Sequence, residues 1–323
     1  VLPQISYGAA LQYFTGSQAH NVKLRGIARA RGLRINEYGI FTGDEKLGGA
    51  VESEIYDTLD LQWIAPELRE DRGEIEAAAA GNLPNLLELS DIHGDLHLHT
   101  TYSDGHASIE QMVQKAIELG YEYLAICDHS QSVHYAHGVT EERILQQIQE
   151  IDELNQKYEN IQILKGSEVD ILSDGRLDFP DSILEQLDVV VASIHTGFKQ
   201  NVTERILKAM EKPHVKIIAH PTGRLISRRE GYQVDLKDVF KQAVRTNTAL
   251  EINAFPDRLD LSDINARTAV EMGVKLVINT DAHRPEHLDY MKFGVGTARR
   301  GWIEKSNIIN TQPIDSIKKL WSK

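Results

Sequence analysis

From residue 94 onward the chain alternates short β-rich runs with amphipathic helical stretches, and this alternation restricts its fold more than any other feature. The runs are GDLHLHT (94–100), YLAICDH (123–129), IQILKGSE (161–168), LDVVVASIHT (187–196), VKIIAHP (215–221), TALEINA (248–254) and VKLVINTDAH (274–283). Between them lie helical patterns at Ser108–Leu119, Glu141–Tyr158, Val202–Glu211, Leu236–Thr246 and Ala266–Met272. The stretch after Glu168 is irregular, with a short helix near Ser182–Leu187. Strand–helix repetition implies parallel strands, because a parallel neighbour is reached only through a long crossover. The runs are near-continuously apolar, as in strands buried on both faces. Seven units predict an α/β fold, a (β/α)7 barrel; a doubly wound open sheet fits the same pattern.

Active sites of parallel α/β barrels lie at the C-terminal ends of the strands. Here those ends carry His97 and His99, with Asp104 in the next loop, then His129, Glu168, His195, His220, and finally Asp281 and His283. Glu251 and Asn253 end the sixth run and receive no role. His97 and His99 stand two apart on a strand, so they point the same way, and Asp281 and His283 repeat that spacing. Six imidazoles and three carboxylates are a natural set for Zn²⁺, Mn²⁺ or Fe²⁺. Crowded together without cations, they would be buried polar groups in need of partners. Nine ligands exceed what one tetrahedral ion uses, so two or three divalent ions are expected, with Glu168 bridging two of them. His20, His93, His106, His134, His137, His214 and His287 read as ordinary core or surface residues. Arg224, just past the fifth run, has the donor fork to clamp a phosphate oxygen. Lys199, Arg228 and Arg229 are weaker candidates for backbone contact.

The remaining chain reads differently. Residues 1–42 carry Lys23, Arg25, Arg29, Arg31 and Arg34 against Glu37 alone, a charge of +4. The whole chain is −13, so the remainder is −17. Such asymmetry suggests two pieces with different partners. A turn at Thr15-Gly16-Ser17 precedes a helix over about Gln18–Arg31, capped by Ser17, and a strand near Arg34–Ile40. Residues 66–90, with an acidic helical stretch around Glu67–Ala80, read as a connector between a 1–65 unit and a 91–323 domain. No apolar run approaches a membrane span, and the start VLPQISYG lacks the features of a signal peptide. Cys127, the single cysteine, excludes an intrachain disulfide and reads as a core residue, which fits a cytoplasmic setting. The first residue is not Met, so a longer parent chain is expected.

The motifs HGDLHLHTTYSDG (93–105), CDHS (127–130), GSEVDIL (166–172), SIHTG (193–197), AHPTGR (219–224) and NTDAH (279–283) resemble those of the polymerase and histidinol phosphatase (PHP) superfamily. The resemblance implies a distorted (β/α)7 barrel with a trinuclear metal site. His97, His99, Glu168 and Asp281 would hold one ion. Glu168, His195 and His220 would hold a second, and Asp104, His129 and His283 a third. The stretch ALQYFTGSQAHNVKLRGIARARGLRINEYGIF (10–41) resembles the thumb of family X DNA polymerases, and IAPELRE (64–70) resembles bacterial members in which a PHP domain follows the polymerase. That likeness places Tyr13 and Phe14, beside Gly16, against an incoming nucleotide's sugar, Asn21 at its base and Arg25 on the template strand. The chain thus resembles the C-terminal part of a bacterial family X DNA polymerase. Polymerisation needs palm carboxylates, and residues 1–9 contain no Asp or Glu, so this chain is not expected to polymerise.

Metal-dependent hydrolysis of phosphodiesters at DNA 3′ ends, a 3′→5′ exonuclease or end-processing activity with Glu168 and Arg224 at its centre, is the function these features favour. A phosphomonoesterase acting on a compound such as histidinol phosphate needs the same ions. A non-catalytic DNA-binding module is the third possibility. Partners are DNA ends and no membrane.

Overall fold

The computed structural model describes residues 2–321, and the chain divides into two units, 1–85 and 86–323. The first unit begins with two helices, α1 (Tyr7–Thr15) and α2 (Gln18–Ala30). Ser17 caps α2 as expected, its side chain accepting from His20 N. The strand expected near Arg34–Ile40 is instead a hairpin, β1 (Leu33–Asn36) and β2 (Gly39–Thr42), extended by β3 (Glu45–Gly48) into an antiparallel sheet. The chain reverses because the Asn36 side chain accepts from Tyr38 N at 2.9 Å, folding a two-residue turn. The acidic stretch around Glu67–Ala80 is also broken. A 3-10 turn at Pro66–Leu68 is separated from α4 (Glu74–Ala80) by Gly73, whose φ of +102° interrupts the helix. A short α3 (Ser53–Asp57) precedes them, and Leu24, Ile40, Ile55, Tyr56, Leu59 and Leu68 fill the core.

The second unit holds seven strands: β4 (Gly94–Leu98), β5 (Tyr123–Ile126), β6 (Gln162–Asp170), β7 (Val189–Ser193), β8 (Val215–Ile218), β9 (Ala249–Asn253) and β10 (Leu276–Asn279). They pair in sequence order, each neighbour parallel. The helices are α5 (Ile109–Glu118), α6 (Glu141–Lys157), α7 (Asp181–Leu184), α8 (Val202–Met210), α9 (Leu236–Thr246), α10 (Asp263–Glu271), α11 (Met291–Arg300) and α12 (Ile314–Trp321). One core layer lies between strands and helices, with Ile126, Val190, Ile218, Ile252 and Ile278 packed among Met112, Ile144, Ile206 and Phe240. A second contains Leu96, Cys127, Leu164, Val191, Ile217 and Val277, together with Ile309 and Ile317 from the C-terminal segment.

The sheet nearly closes into a barrel where β4 meets β10, and side chains stitch that seam. Asn310 donates to Gly94 O at 2.8 Å and Ile278 O at 2.6 Å, and accepts from Ile278 N at 3.1 Å. Higher up, Asn279 Oδ1 accepts from Leu96 N at 3.0 Å. The buried Asp95 carboxylate accepts from Thr280 N and Oγ1 and from His97 N. Burial raises the Asp95 carboxyl to about 7, with the Thr280 and His97 hydrogen bonds opposing it. At the top His99 N donates to Ala282 O at 2.8 Å. This seam decides the site, because it brings the first and last strands, carrying His97, His99, Asp281 and His283, side by side.

Candidate metal centre

The nine strand-end residues converge at one end of the barrel. Glu168, in β6, lies at their centre. Its Oε1 is 2.9 Å from His220 Nε2 and 3.3 Å from His195 Nε2. Its Oε2 is 3.0 Å from His129 Nδ1, 3.3 Å from His97 Nε2 and 3.5 Å from His99 Nε2. Asp281 Oδ1 approaches His99 Nε2 at 3.1 Å, His283 Nδ1 at 3.7 Å and His97 Nε2 at 3.9 Å. Asp104 Oδ1 faces His283 Nε2 at 3.3 Å, His129 Nε2 at 3.6 Å and His99 Nδ1 at 4.0 Å. Three groups have ligand atoms all within 4.8 Å of one another: His97, His99 and Asp281; His129, Glu168 and His195; and His99, Asp104, His129 and His283. His220 belongs to none of the three groups; its Nε2 meets Glu168, and its ring lies edge-on to that of His195.

The chemistry of the set fits divalent cations. His99, His129 and His220 each have a buried Nδ1 without a hydrogen-bond partner. The 3.0 Å approach of His129 Nδ1 to Glu168 is therefore a close contact off the hydrogen-bonding line. Burial disfavours every charge here, yet mutual attraction wins for most of the groups. Against that burial, the surrounding imidazoles hold Glu168 and Asp281 well below the usual carboxylate range and Asp104 near 2. Burial opposes protonation of His97, but Glu251, Glu168 and Asp281 raise it well above the ordinary value. His195 and His283 rise to about 9 beside Glu168 and Asp104 respectively, again against burial. Burial and then the His283 and His129 charges push His99 down to about 3. The carboxylates thus demand positive charge among the rings, which protons or divalent ions supply.

Backbone geometry at two of these residues is itself unusual. His220 has φ +29° and Asp281 φ +54°, left-handed conformations that L-residues adopt at a cost of about 1–3 kcal/mol when the surroundings enforce them. Both lie just past a strand end, where the chain turns its side chain into the cluster.

Several contributors escape a reading of the sequence. Glu251, wholly buried, accepts from His97 Nδ1 and His220 N at 2.8 Å each, from Asn279 Nδ2 at 3.0 Å and from Asn253 Nδ2 at 3.1 Å. It fixes the His97 ring so that Nε2 faces Glu168. Asp170 accepts from His195 N at 2.9 Å and lies 3.5 Å from His195 Nδ1. Asp128 accepts from the backbone N–H and hydroxyl groups of Thr100 and Ser103, shaping the loop that delivers Asp104. The alternation in Glu251-x-Asn253 is the same strand-end signal as His97-x-His99, so Glu251 was within reach of sequence reasoning.

Arg224 lies apart from the nine. Its Nε donates to Arg258 O at 2.8 Å, and a terminal nitrogen donates to Leu259 O. Its fork therefore grips backbone carbonyls. Lys199 is exposed, Arg228 is exposed and paired with Asp257 at 3.1 Å, and Arg229 donates to Gly223 O.

In the N-terminal unit, Phe14 is 71% exposed, with its ring edge-on to that of half-buried Tyr13. Arg25 is exposed, and Gly16 is buried with φ +73°. Asn21 is buried, its amide donating to Tyr13 O at 2.8 Å and accepting from Gln12 at 2.7 Å.

Comparison with known proteins assigns both units. Residues 10–70 match the family profile of the DNA polymerase beta thumb, and residues 95–254 match the PHP domain. The chain is 30% identical over 233 residues to a probable phosphatase of Thermoanaerobacter sp. (strain X514), covering 67% of the chain and 89% of that protein. The chain belongs to the PHP metal-dependent phosphoesterase family. In this chain the thumb match precedes the PHP match. A second relative is the DNA polymerase/3′-5′ exonuclease PolX of Bacillus subtilis (strain 168). Identity to that protein is 48% over 318 residues, covering 97% of the chain and 55% of the relative, so the chain spans about half of its length. A crystal structure from Listeria monocytogenes described as a candidate histidinol phosphatase shares the fold, with a TM-score of 0.51 at 18% identity over 60% of this chain and 97% of that one. No helix among the described residues is long and apolar enough to cross a membrane.

Proposed function

We propose that this chain hydrolyses phosphodiester bonds at DNA 3′ ends, removing nucleotides in the 3′→5′ direction, and that it works in DNA repair in the cytoplasm. The observation that carries the proposal is the Glu168-centred cluster in a PHP domain preceded by a polymerase thumb. The extensive identity to a polymerase/exonuclease supports DNA over a small phosphomonoester. In this reading residues 1–65 form the thumb-like part, 66–90 the connector and 91–323 the phosphoesterase.

The metal set comprises His97, His99, Asp104, His129, Glu168, His195, His220, Asp281 and His283, holding two or three divalent ions, Mn²⁺, Zn²⁺ or Fe²⁺. When bound, the ions supply positive charge for the phosphoryl oxygens and a water acidic enough to attack at neutral pH. Glu168 spans the cluster, with one oxygen toward His195 and His220 and the other toward His97, His99 and His129. Glu251 and Asp170 orient His97 and His195. Water is limited by burial, since His97, His99, Glu168 and His220 are almost inaccessible. Tyr13, Phe14, Gly16 and Arg25 form the proposed nucleic-acid face of the thumb, with Asn21 bracing it from within.

The test incubates the chain with Mn²⁺ and end-labelled single-stranded DNA, and in parallel with histidinol phosphate. A ladder shortening from the 3′ end is expected. Phosphate release from histidinol phosphate alone overturns the DNA reading in favour of a phosphomonoesterase. Inactivity on both substrates with metal bound favours a binding module.

A further inference from the structure

Among the described residues, Arg258 is the only arginine or lysine in ion-pair reach of a carboxylate in the cluster, its Nε lying 3.4 Å from Asp281 Oδ2. It sits in the loop between β9 and α10, and that loop is locked. Asn253 N donates to Asp260 O at 2.6 Å, and Arg258 N donates to Phe255 O at 2.8 Å. Thr222 N donates to the buried Asp260 carboxylate at 3.0 Å. Arg224 holds the carbonyls of Arg258 and Leu259 from the other side. Leu259, with φ +45°, is kept in a left-handed conformation by these restraints.

The carboxylate it meets is already oriented. Asp281 Oδ1 faces the imidazoles, while Oδ2 accepts from Asn253 Nδ2 at 3.1 Å. Asn253 therefore suffices to point Oδ1 into the cluster, and the longer Arg258 contact adds little to that task. A guanidinium has five donors in a rigid fork. The terminal nitrogens of Arg258 have no hydrogen-bond acceptor among the described residues, and its side chain is 19% exposed. Neighbouring arginines are occupied, Arg224 on carbonyls and Arg229 on Gly223 O, with its guanidinium over the Phe198 ring.

We infer that Arg258 grips the non-bridging oxygens of the substrate phosphate at the metal cluster, and that Arg224 is the positioning residue that braces it. The inference rests on the phosphoesterase reading of this site. A phosphate seated on the cluster carries negative oxygens that two parallel N–H donors fit, and those bonds strengthen as charge accumulates on the oxygens during bond cleavage. Arginine is suited to this position because its charge persists at every working pH and its donors form a plane.

The experiment uses the Mn²⁺-loaded full chain with inorganic phosphate as probe, read by calorimetry, by inhibition of DNA shortening and by elemental analysis. R258A should keep the metal content of the unaltered chain, weaken phosphate binding about tenfold or more, and lower kcat/KM about 10²-fold. R258K should recover part of the phosphate affinity but little of the rate, and it carries the comparison should R258A fail to fold. R224A should weaken phosphate binding less, and adding it to R258A should change nothing further. Unchanged phosphate affinity in R258A overturns the inference. Loss of metal from R258A also overturns it, because the arginine would then serve to hold Asp281. Phosphate binding that depends on Arg258 without any DNA cleavage sinks the exonuclease reading and leaves the clamp. DNA cleavage with phosphate affinity indifferent to Arg258 does the reverse.

Discussion

Each unit buries a histidine among carboxylates, and the two arrangements end differently. In the N-terminal unit His20 is wholly buried, yet both ring nitrogens are partnered: Nδ1 with Glu74 Oε1 at 2.7 Å and Nε2 with the Tyr56 hydroxyl at 3.1 Å. Glu74 completes itself with the N–H groups of Asp71 and Arg72 at 2.9 and 2.7 Å. That cluster is closed, and it ties α2 to α4. In the barrel, His99, His129 and His220 are similarly buried, but each keeps a ring Nδ1 without a hydrogen bond, and those of His129 and His99 face Glu168 and Asp104, carboxylates that several imidazoles share. Burial of a polar group is therefore no mark of function. Leftover bonding capacity, aimed by many elements at one point, is.

The comparison is broken most directly at Glu168. Glu168→Ala should lower DNA hydrolysis by about 10³-fold or more and reduce the bound metal, since one carboxylate serves five imidazoles. Activity surviving that change would show that the cluster does not bridge ions through this residue. Glu251→Ala tests the layer behind. With His97 and His220 losing a shared acceptor, metal affinity should fall about 10–100-fold in chelator competition, and an unaltered affinity would leave Glu251 a purely structural role.

A milder effect is expected from pH. His195 and His283 hold protons up to about 9, and a metal ion must displace them, so affinity should rise about tenfold per pH unit for each displaced proton between about 6.5 and 9. In chelator-treated protein the sign reverses. These raised histidines add stability that is complete below about 6.5 and lost as pH climbs through about 9. Melting temperatures of metal-loaded and chelated protein should therefore diverge with rising pH, and parallel curves would refute the coupling. The smallest effect on the site belongs to His20→Ala. It should cost the N-terminal unit about 1–3 kcal/mol by leaving Glu74 and Tyr56 short of a partner, while metal content and hydrolysis stay unchanged.

The strand ends were legible because a parallel barrel imposes a rule: one end of every strand faces the site. His97, His129, Glu168, His195, His220 and Asp281 could be picked out by position alone, without knowledge of distances. The same rule passed over Glu251, which points at His97 and lies behind it. Arg224 shows the opposite failure. Its place after β8 suggests a phosphate, but carbonyls from a loop more than thirty residues later take its donors, and that loop presents Arg258 instead. The β1–β2 hairpin escaped notice because its turn depends on Asn36 reaching Tyr38 N, a choice among local hydrogen bonds that composition does not reveal.

By itself, the sequence determined the alternation of strand and helix, the run of ligand-type residues at successive strand ends and the change of character ahead of the barrel. These are local properties, set by side-chain periodicity and residue type within a few positions. Only the tertiary structure decided that β4 and β10 meet, through Asn310, Asn279 and the Asp95–Thr280 pair, so that residues nearly two hundred positions apart share one cluster. It also decided which polar groups were used up by neighbours and which were left open. Hydrogen-bond capacity is settled by contacts between distant segments, and those contacts exist only once the barrel has formed.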